Sequence, residues 1–114
     1  MTDVRVVLMT APDRATAERV GEALVRERLA ACANVLPGIT SLFWWGGELQ
    51  RAEEALVVLK TRAERVEALF ARAVELHPYE VPELLALPVE AGLPAYLEWV
   101  GREARLDGPV GRRS

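Results

Sequence analysis

The chain of 114 residues holds one histidine, one cysteine and one lysine. Each side chain able to bind a metal, act as a nucleophile or move a proton can therefore be weighed singly. His77 stands before Pro78 at the end of an amphipathic run. There an imidazole either caps a helix C-terminus, where partial positive charge is favourable, or faces a cleft and ligates a metal. A closed zinc site needs four Cys or His ligands at tight spacing. One of each excludes a self-contained site, but not a shared, open or softer one. Cys32 lies in the apolar segment Ala30-Ala31-Cys32-Ala33. Nothing beside it in sequence supplies the electropositive, accessible setting of a reactive thiol, so it reads as a small inert hydrophobe. Ser41 and Ser114 are the only serines, and neither sits in a Gly-x-Ser-x-Gly turn. Acyl-transfer catalysis has no signature.

Lys60 ends an apolar run beside a helix start, where an ammonium and free backbone N–H groups gather anions. The competing reading is a stem that snorkels or a head that pairs with a nearby Glu. No Gly-x-Gly-x-x-Gly and no Gly-Lys-Thr loop occurs, which removes those devices for nucleotide phosphates. The carboxylates, Glu53-Glu54 and Glu83 among them, read as solvated surface, because spacing alone does not show two pKa values driven apart. Phe43-Trp44-Trp45 carries more aromatic surface than a solvated tip exposes. Tryptophan is a preferred interface anchor, so a second copy of the chain is the expected cover.

These residues need elements to hold them. Val4 to Met9 is a β-branched apolar run that suits a buried strand. Thr10-Ala11-Pro12-Asp13 stops it, and Asp13 caps a helix whose inner face is Ala17, Val20, Gly21 and Leu24. Cys32 to Trp45 is extended, with Pro37-Gly38 marking a bulge or an edge. Gly46-Gly47 turns the chain into a return strand that runs from Glu48 into Ala55–Leu59. Thr61 and Glu64 form a capping box ahead of the helical pattern Val66, Leu69, Phe70, Ala73, Val74. His77-Pro78 ends it. Leu84 to Val89 reads as a last strand, and a short helix follows through Tyr96, Leu97 and Val100. The order β-α-β-β-α-β plus a closing helix is the ferredoxin-like split arrangement of an α+β protein. Val7-Leu8-Met9-Thr10 and Val58-Leu59-Lys60-Thr61 echo each other where its two halves should. Residues 1–102 form one domain. The stretch from Gly101, and 103–114 in particular, reads as a disordered tail.

Composition narrows the partners. The chain is 51% hydrophobic and 27% charged with a net charge of −3, a globular profile without the electrostatic footprint of a nucleic-acid binder. No apolar run approaches the ~20 residues that span a bilayer, and the start Met1-Thr2-Asp3 does not read as a signal peptide. A lone cysteine suits a reducing cytoplasm.

Taken in order, several blocks resemble the CutA family of divalent-cation tolerance proteins. They are Thr10-Ala11-Pro12-Asp13, Leu29-Ala30-Ala31-Cys32-Ala33-Asn34, Pro37-Gly38-Ile39-Thr40-Ser41 and Trp45-x-Gly47. Leu59-Lys60-Thr61, His77-Pro78-Tyr79-Glu80-Val81-Pro82-Glu83, Ala86-Leu87-Pro88-Val89 and Tyr96-Leu97-x-Trp99 continue the series. The resemblance spans residues 4–100. It implies a ferredoxin-like fold similar to the PII signalling proteins, assembled as a cytoplasmic homotrimer through the Phe43-Trp44-Trp45 hairpin. The implied role is tolerance of copper and other divalent ions, a response to metal with copper binding in some members, no enzymatic step and no required cofactor. Members with the copper pattern have a Cys before Thr-Ala-Pro and two adjacent His before Pro-Tyr. Here Met9 and Leu76 occupy the Cys and first His positions, and His77 matches. A thioether and one imidazole suit Cu(I), at lower affinity than the full set. The candidate metal ligands are thus His77 and Met9, with Glu83 a further guess from proximity. Two rivals remain. A PII-like sensor would bind a small anion or nucleotide between subunits, using Lys60 and the helix starts at Thr10 and Thr61. A small lyase or isomerase would use His77 and Tyr79 as acid and base.

Overall fold

The computed structural model describes residues 1–105. Strand β1 (Val4–Ala11) leads into helix α1 (Arg14–Arg26), then the long strands β2 (Cys32–Trp45) and β3 (Glu48–Arg62). A 3-10 turn (Ala63–Arg65) enters α2 (Val66–Leu76), and β4 (Leu84–Pro88) and α3 (Pro94–Glu103) complete the chain. The fold is α+β, as expected, with every observed pairing antiparallel and the strand order β2-β3-β1-β4.

Alternation sorts the sheet into two faces. Val7, Met9, Ala11, Ala55, Val57 and Leu59 are fully buried under Ala17, Val20 and Leu24 of α1 and Leu69 and Ala73 of α2. Gly21 lets α1 approach the sheet: a methyl group there would already touch Ala33 Cβ at 3.5 Å and Val57 Cγ1 at 3.6 Å. The opposite face presents Val6, Leu8, Leu56 and Val58, half-buried, and Leu36, Leu85 and Leu87, exposed. Helix α3 covers one end of that face, where Val100 and Ala104 pack on Val4 and Ala31.

Asp13 caps α1 by accepting the Thr16 N–H at 2.8 Å, and that bond holds its carboxyl below the usual range. The register shift in β2 falls between Leu36 and Ile39, at Pro37-Gly38. Beyond the last β1–β3 pair, Ala11 with Ala55, the hairpin runs on from Ile39 opposite Glu54 to Trp45 opposite Glu48. That projection is ~20 Å at the usual strand rise. Gly46 and Gly47 close it with φ of +61° and +80°, a backbone that glycine adopts freely.

Three expectations change. Thr61 does not cap α2, because β3 continues to Arg62 and the buried Thr61 hydroxyl donates instead to the Leu29 carbonyl at 2.7 Å. Val74 is 49% exposed despite its helical spacing. Gly101 to Glu103 belong to α3 rather than to a tail, since Val100 and Ala104 anchor that turn in the packing around Val4. The remainder of the expected tail lies outside the described residues.

Candidate functional site around His77

α2 ends at Leu76 because His77 takes an extended backbone (φ −82°, ψ 138°) ahead of Pro78. This turns the His77 ring toward the end of β1, where it is only 6% exposed. Nε2 lies 2.7 Å from the Thr10 carbonyl, and Nδ1 accepts the Tyr79 N–H at 3.1 Å. That pattern requires the tautomer with its proton on Nε2. The imidazole thus joins the β1 terminus to the turn after α2, and both nitrogens are occupied.

Tyr79 stacks obliquely beside it, ring centroids 4.8 Å apart, and its phenol donates to Glu54 Oε2 at 2.7 Å. Burial first, and then the Glu54 carboxylate, push the Tyr79 hydroxyl up to about 12. Glu54 is available because β3 passes beyond its last β1 partner, Ala55, just where Pro12 diverts the other strand. The site therefore joins the end of β1, the residue of β3 just beyond its β1 partners, and the His-Pro-Tyr turn.

These residues lie within the span of a family match. Residues 5–103 match the model of the CutA1 divalent ion tolerance protein. The chain belongs to the CutA1 family. It is 45% identical over 95 residues to the divalent-cation tolerance protein CutA of Thermus thermophilus, covering 83% of this chain and 92% of that protein. The chloroplastic protein CutA 1 of Oryza sativa is 40% identical over 100 residues, 88% of this chain. The chain spans only 56% of the rice protein's length. Among solved structures, CutA of Xylella fastidiosa superposes with a TM-score of 0.89 at 41% identity, covering 91% of this chain and all of that one. The family is named for an ion tolerance, not for a reaction.

Within the CutA1 frame, the sequence-derived candidates fall in different places. Met9 is fully buried under the helices, one residue before the carbonyl that His77 holds. Glu83 is exposed just ahead of β4. Among the described residues, no group of three or more His, Cys, Asp or Glu side chains is placed to hold a metal. His77 and Tyr79 do meet, yet the groups that would act as acid and base are held by Thr10, the turn backbone and Glu54. Lys60 and Thr61 point to opposite faces of β3. The Lys60 ammonium bonds Asn34 Oδ1 on the open face, while the Thr61 hydroxyl is spent on Leu29. One chain does not assemble the anion site drawn from those residues.

Sequence reasoning missed Glu54, read as solvent-facing surface, as the partner of Tyr79. Its signal was the strand register, which leaves Glu54 one residue beyond the end of β1. It also missed the fastening of the turn before β2. There Arg28 has a φ of +64° and pairs with Glu103 at 2.6 Å. The buried Arg65 guanidinium donates to the Arg28 carbonyl at 3.3 Å. Arg72 clasps Glu27 with two bonds, which holds the Glu27 carboxyl down. Nothing local in sequence pairs residues so far apart.

Proposed function

We propose that this chain serves divalent-cation tolerance as a cytoplasmic homotrimer of ferredoxin-like, PII-like protomers, without a catalytic step of its own. The observation that carries the reading is the hairpin tip. Trp44 and Trp45 are 73% and 72% exposed, Leu42 and Leu49 beside them are 62% and 61% exposed, and the open sheet face adds Leu36, Leu85 and Leu87. One protomer leaves these groups in water, and a patch of this kind marks an interface. Two further features suit a second copy. Strand β2 is an edge, and a groove of about 640 Å3 runs between it and α1, lined in part by Gly21, Val25, Ala33 and Val35. Neither nucleic acid nor membrane is a proposed partner: the chain is net acidic, and among the described residues no helix is long and apolar enough to cross a bilayer.

Cation contact falls to His77, with Met9, one residue before the Thr10 carbonyl that His77 holds, as the soft donor. In this geometry a metal reaches the Nδ1 lone pair only if the Tyr79 N–H gives it up, and the Met9 thioether only if it leaves the core. Binding is therefore coupled to opening of the 77–79 turn and prefers Cu(I) over harder ions. Calorimetric titration with Cu(I), Cu(II), Zn(II) and ATP tests this, with His77→Gln as control. Copper heat that is lost in the variant supports the reading. Binding indifferent to His77 removes that residue from it, and heat from ATP alone moves the function to a nucleotide sensor.

A further inference from the structure

The contacts around His77 form a chain that begins in the hairpin. Glu54 stands in β3 one residue beyond the last β1 pair, opposite Ile39 where β2 resumes after its bulge. Its Oε2 accepts the Tyr79 hydroxyl at 2.7 Å. Tyr79 in turn lays its ring beside the imidazole and gives its backbone N–H to His77 Nδ1 at 3.1 Å. On the other side of the ring, Nε2 is held at 2.7 Å by the Thr10 carbonyl, in a strand that lies between β3 and β4. The two nitrogens are therefore held unequally. Nε2 is fastened to the sheet, whereas Nδ1 is covered by a turn whose outer hold is a phenol–carboxylate bond between two half-exposed side chains. Moving the ring means parting from the sheet. Moving the turn needs the phenol to let go.

We propose that Glu54 and Tyr79 form a latch that regulates the access of a soft cation to His77, an inference that rests on the reading of His77 as the cation contact. With the latch closed, the Tyr79 N–H stays on Nδ1 and the lone pair is occupied. With the latch open, the turn after His77 swings away and Nδ1 faces outward. The Nε2 proton stays on the Thr10 carbonyl throughout, the kind of second hydrogen bond that orients a ligating histidine. The tautomer in place is already the one that ligation through Nδ1 requires, so opening moves no proton. Glu54 and Tyr79 are positioning residues, since both act through His77. Only the open form binds, so the apparent affinity scales with the open fraction. A phenol–carboxylate bond at half-exposed positions lowers that fraction about tenfold or more. The carboxylate comes from the hairpin strand, so the cation contact is set by a residue outside the His-Pro-Tyr block.

The test compares wild type with Tyr79→Phe, Glu54→Ala and Glu54→Gln, each as the assembled, full-length protein, by two readouts. Amide hydrogen exchange at residue 79 in metal-free protein reads the latch, and competition with a chromophoric Cu(I) chelator reads the affinity. Tyr79→Phe and Glu54→Ala should each speed that exchange about tenfold or more and tighten Cu(I) binding by the same factor. Glu54→Gln, whose amide oxygen still accepts the phenol, should stay close to wild type in both. The amides of Val7 and Leu8, in the part of β1 paired on both sides, should keep their protection, which separates opening of the turn from a general loss of stability. Adding His77→Gln to Tyr79→Phe should abolish the gain in affinity. Unchanged exchange at residue 79 overturns the latch itself, as does exchange that quickens only in step with Val7 and Leu8. Faster exchange without tighter Cu(I) binding, or tighter binding that survives His77→Gln, overturns the proposal at the cation reading it rests on, since the exchange has then shown the turn to open.

Discussion

Replacing His77 by alanine separates a fastening role from a purely ligating one. The ring satisfies two backbone groups, the Thr10 carbonyl and the Tyr79 N–H, and is 6% exposed. Alanine leaves both groups without their partner. A buried polar group stripped in this way costs about 1–3 kcal/mol, so the pair and the lost packing together should cost about 3–5 kcal/mol. That is a large share of the roughly 5–15 kcal/mol by which domains are stable. It corresponds to a fall of roughly 10–20 °C or more in Tm for a chain of this size. Glutamine can still offer an N–H to the Thr10 carbonyl but leaves the Tyr79 N–H unpaired, so His77→Gln should lose about half as much. Thermal and urea unfolding of the three proteins, followed by circular dichroism in the absence of metal and at one protein concentration, measures this. Fixed concentration matters because assembly makes Tm concentration-dependent. A loss below about 1 kcal/mol in His77→Ala refutes the reasoning, as does equal damage from alanine and glutamine.

Three further outcomes follow from the same contacts. Thr61→Val keeps the shape of a fully buried side chain but strands the Leu29 carbonyl, and urea unfolding should show a loss of about 1–2 kcal/mol. Tyr79 holds its proton to about 12 in the fold, against 10.0 ordinarily. Between those values the unfolded chain is deprotonated while the native one is not, so stability falls as pH rises through this window. Tyr79→Phe should flatten that decline, and absorbance titration should lose the phenol transition near 12. Trp44→Ser with Trp45→Ser should dissociate the assembly while leaving the protomer's circular dichroism intact. Anchors of this type typically contribute about 2 kcal/mol or more each, and sedimentation velocity over a range of concentrations reads the shift.

The fold was legible wherever local chemistry and period agreed. Asp13 is a cap, Pro37-Gly38 a bulge, Gly46-Gly47 a turn, and His77 a helix end for reasons confined to a few residues. Ala17, Val20, Gly21 and Leu24 face inward because one stripe of α1 must. Long-range contacts overrode local signals elsewhere. Thr61 carries a good capping pattern, but the ladder with β1 continues through it, and a buried hydroxyl takes the acceptor at hand in Leu29. Gly101 to Glu103 looked like frayed tail because their reason to be helical, packing on Val4 and Ala31, comes from the other end of the chain. The site divides in the same way. The His-Pro-Tyr block was visible, but its partners, the Thr10 carbonyl and Glu54, are joined to it only by strand register.

The central claim, that the exposed hairpin and open sheet face are covered by two further copies of the chain, is tested most directly by the native mass in solution. Sedimentation equilibrium or native mass spectrometry at micromolar protein should give three times the 12.6 kDa of the chain, with no dependence on added metal. A monomer at that concentration, with Trp44 and Trp45 left in water, would contradict it.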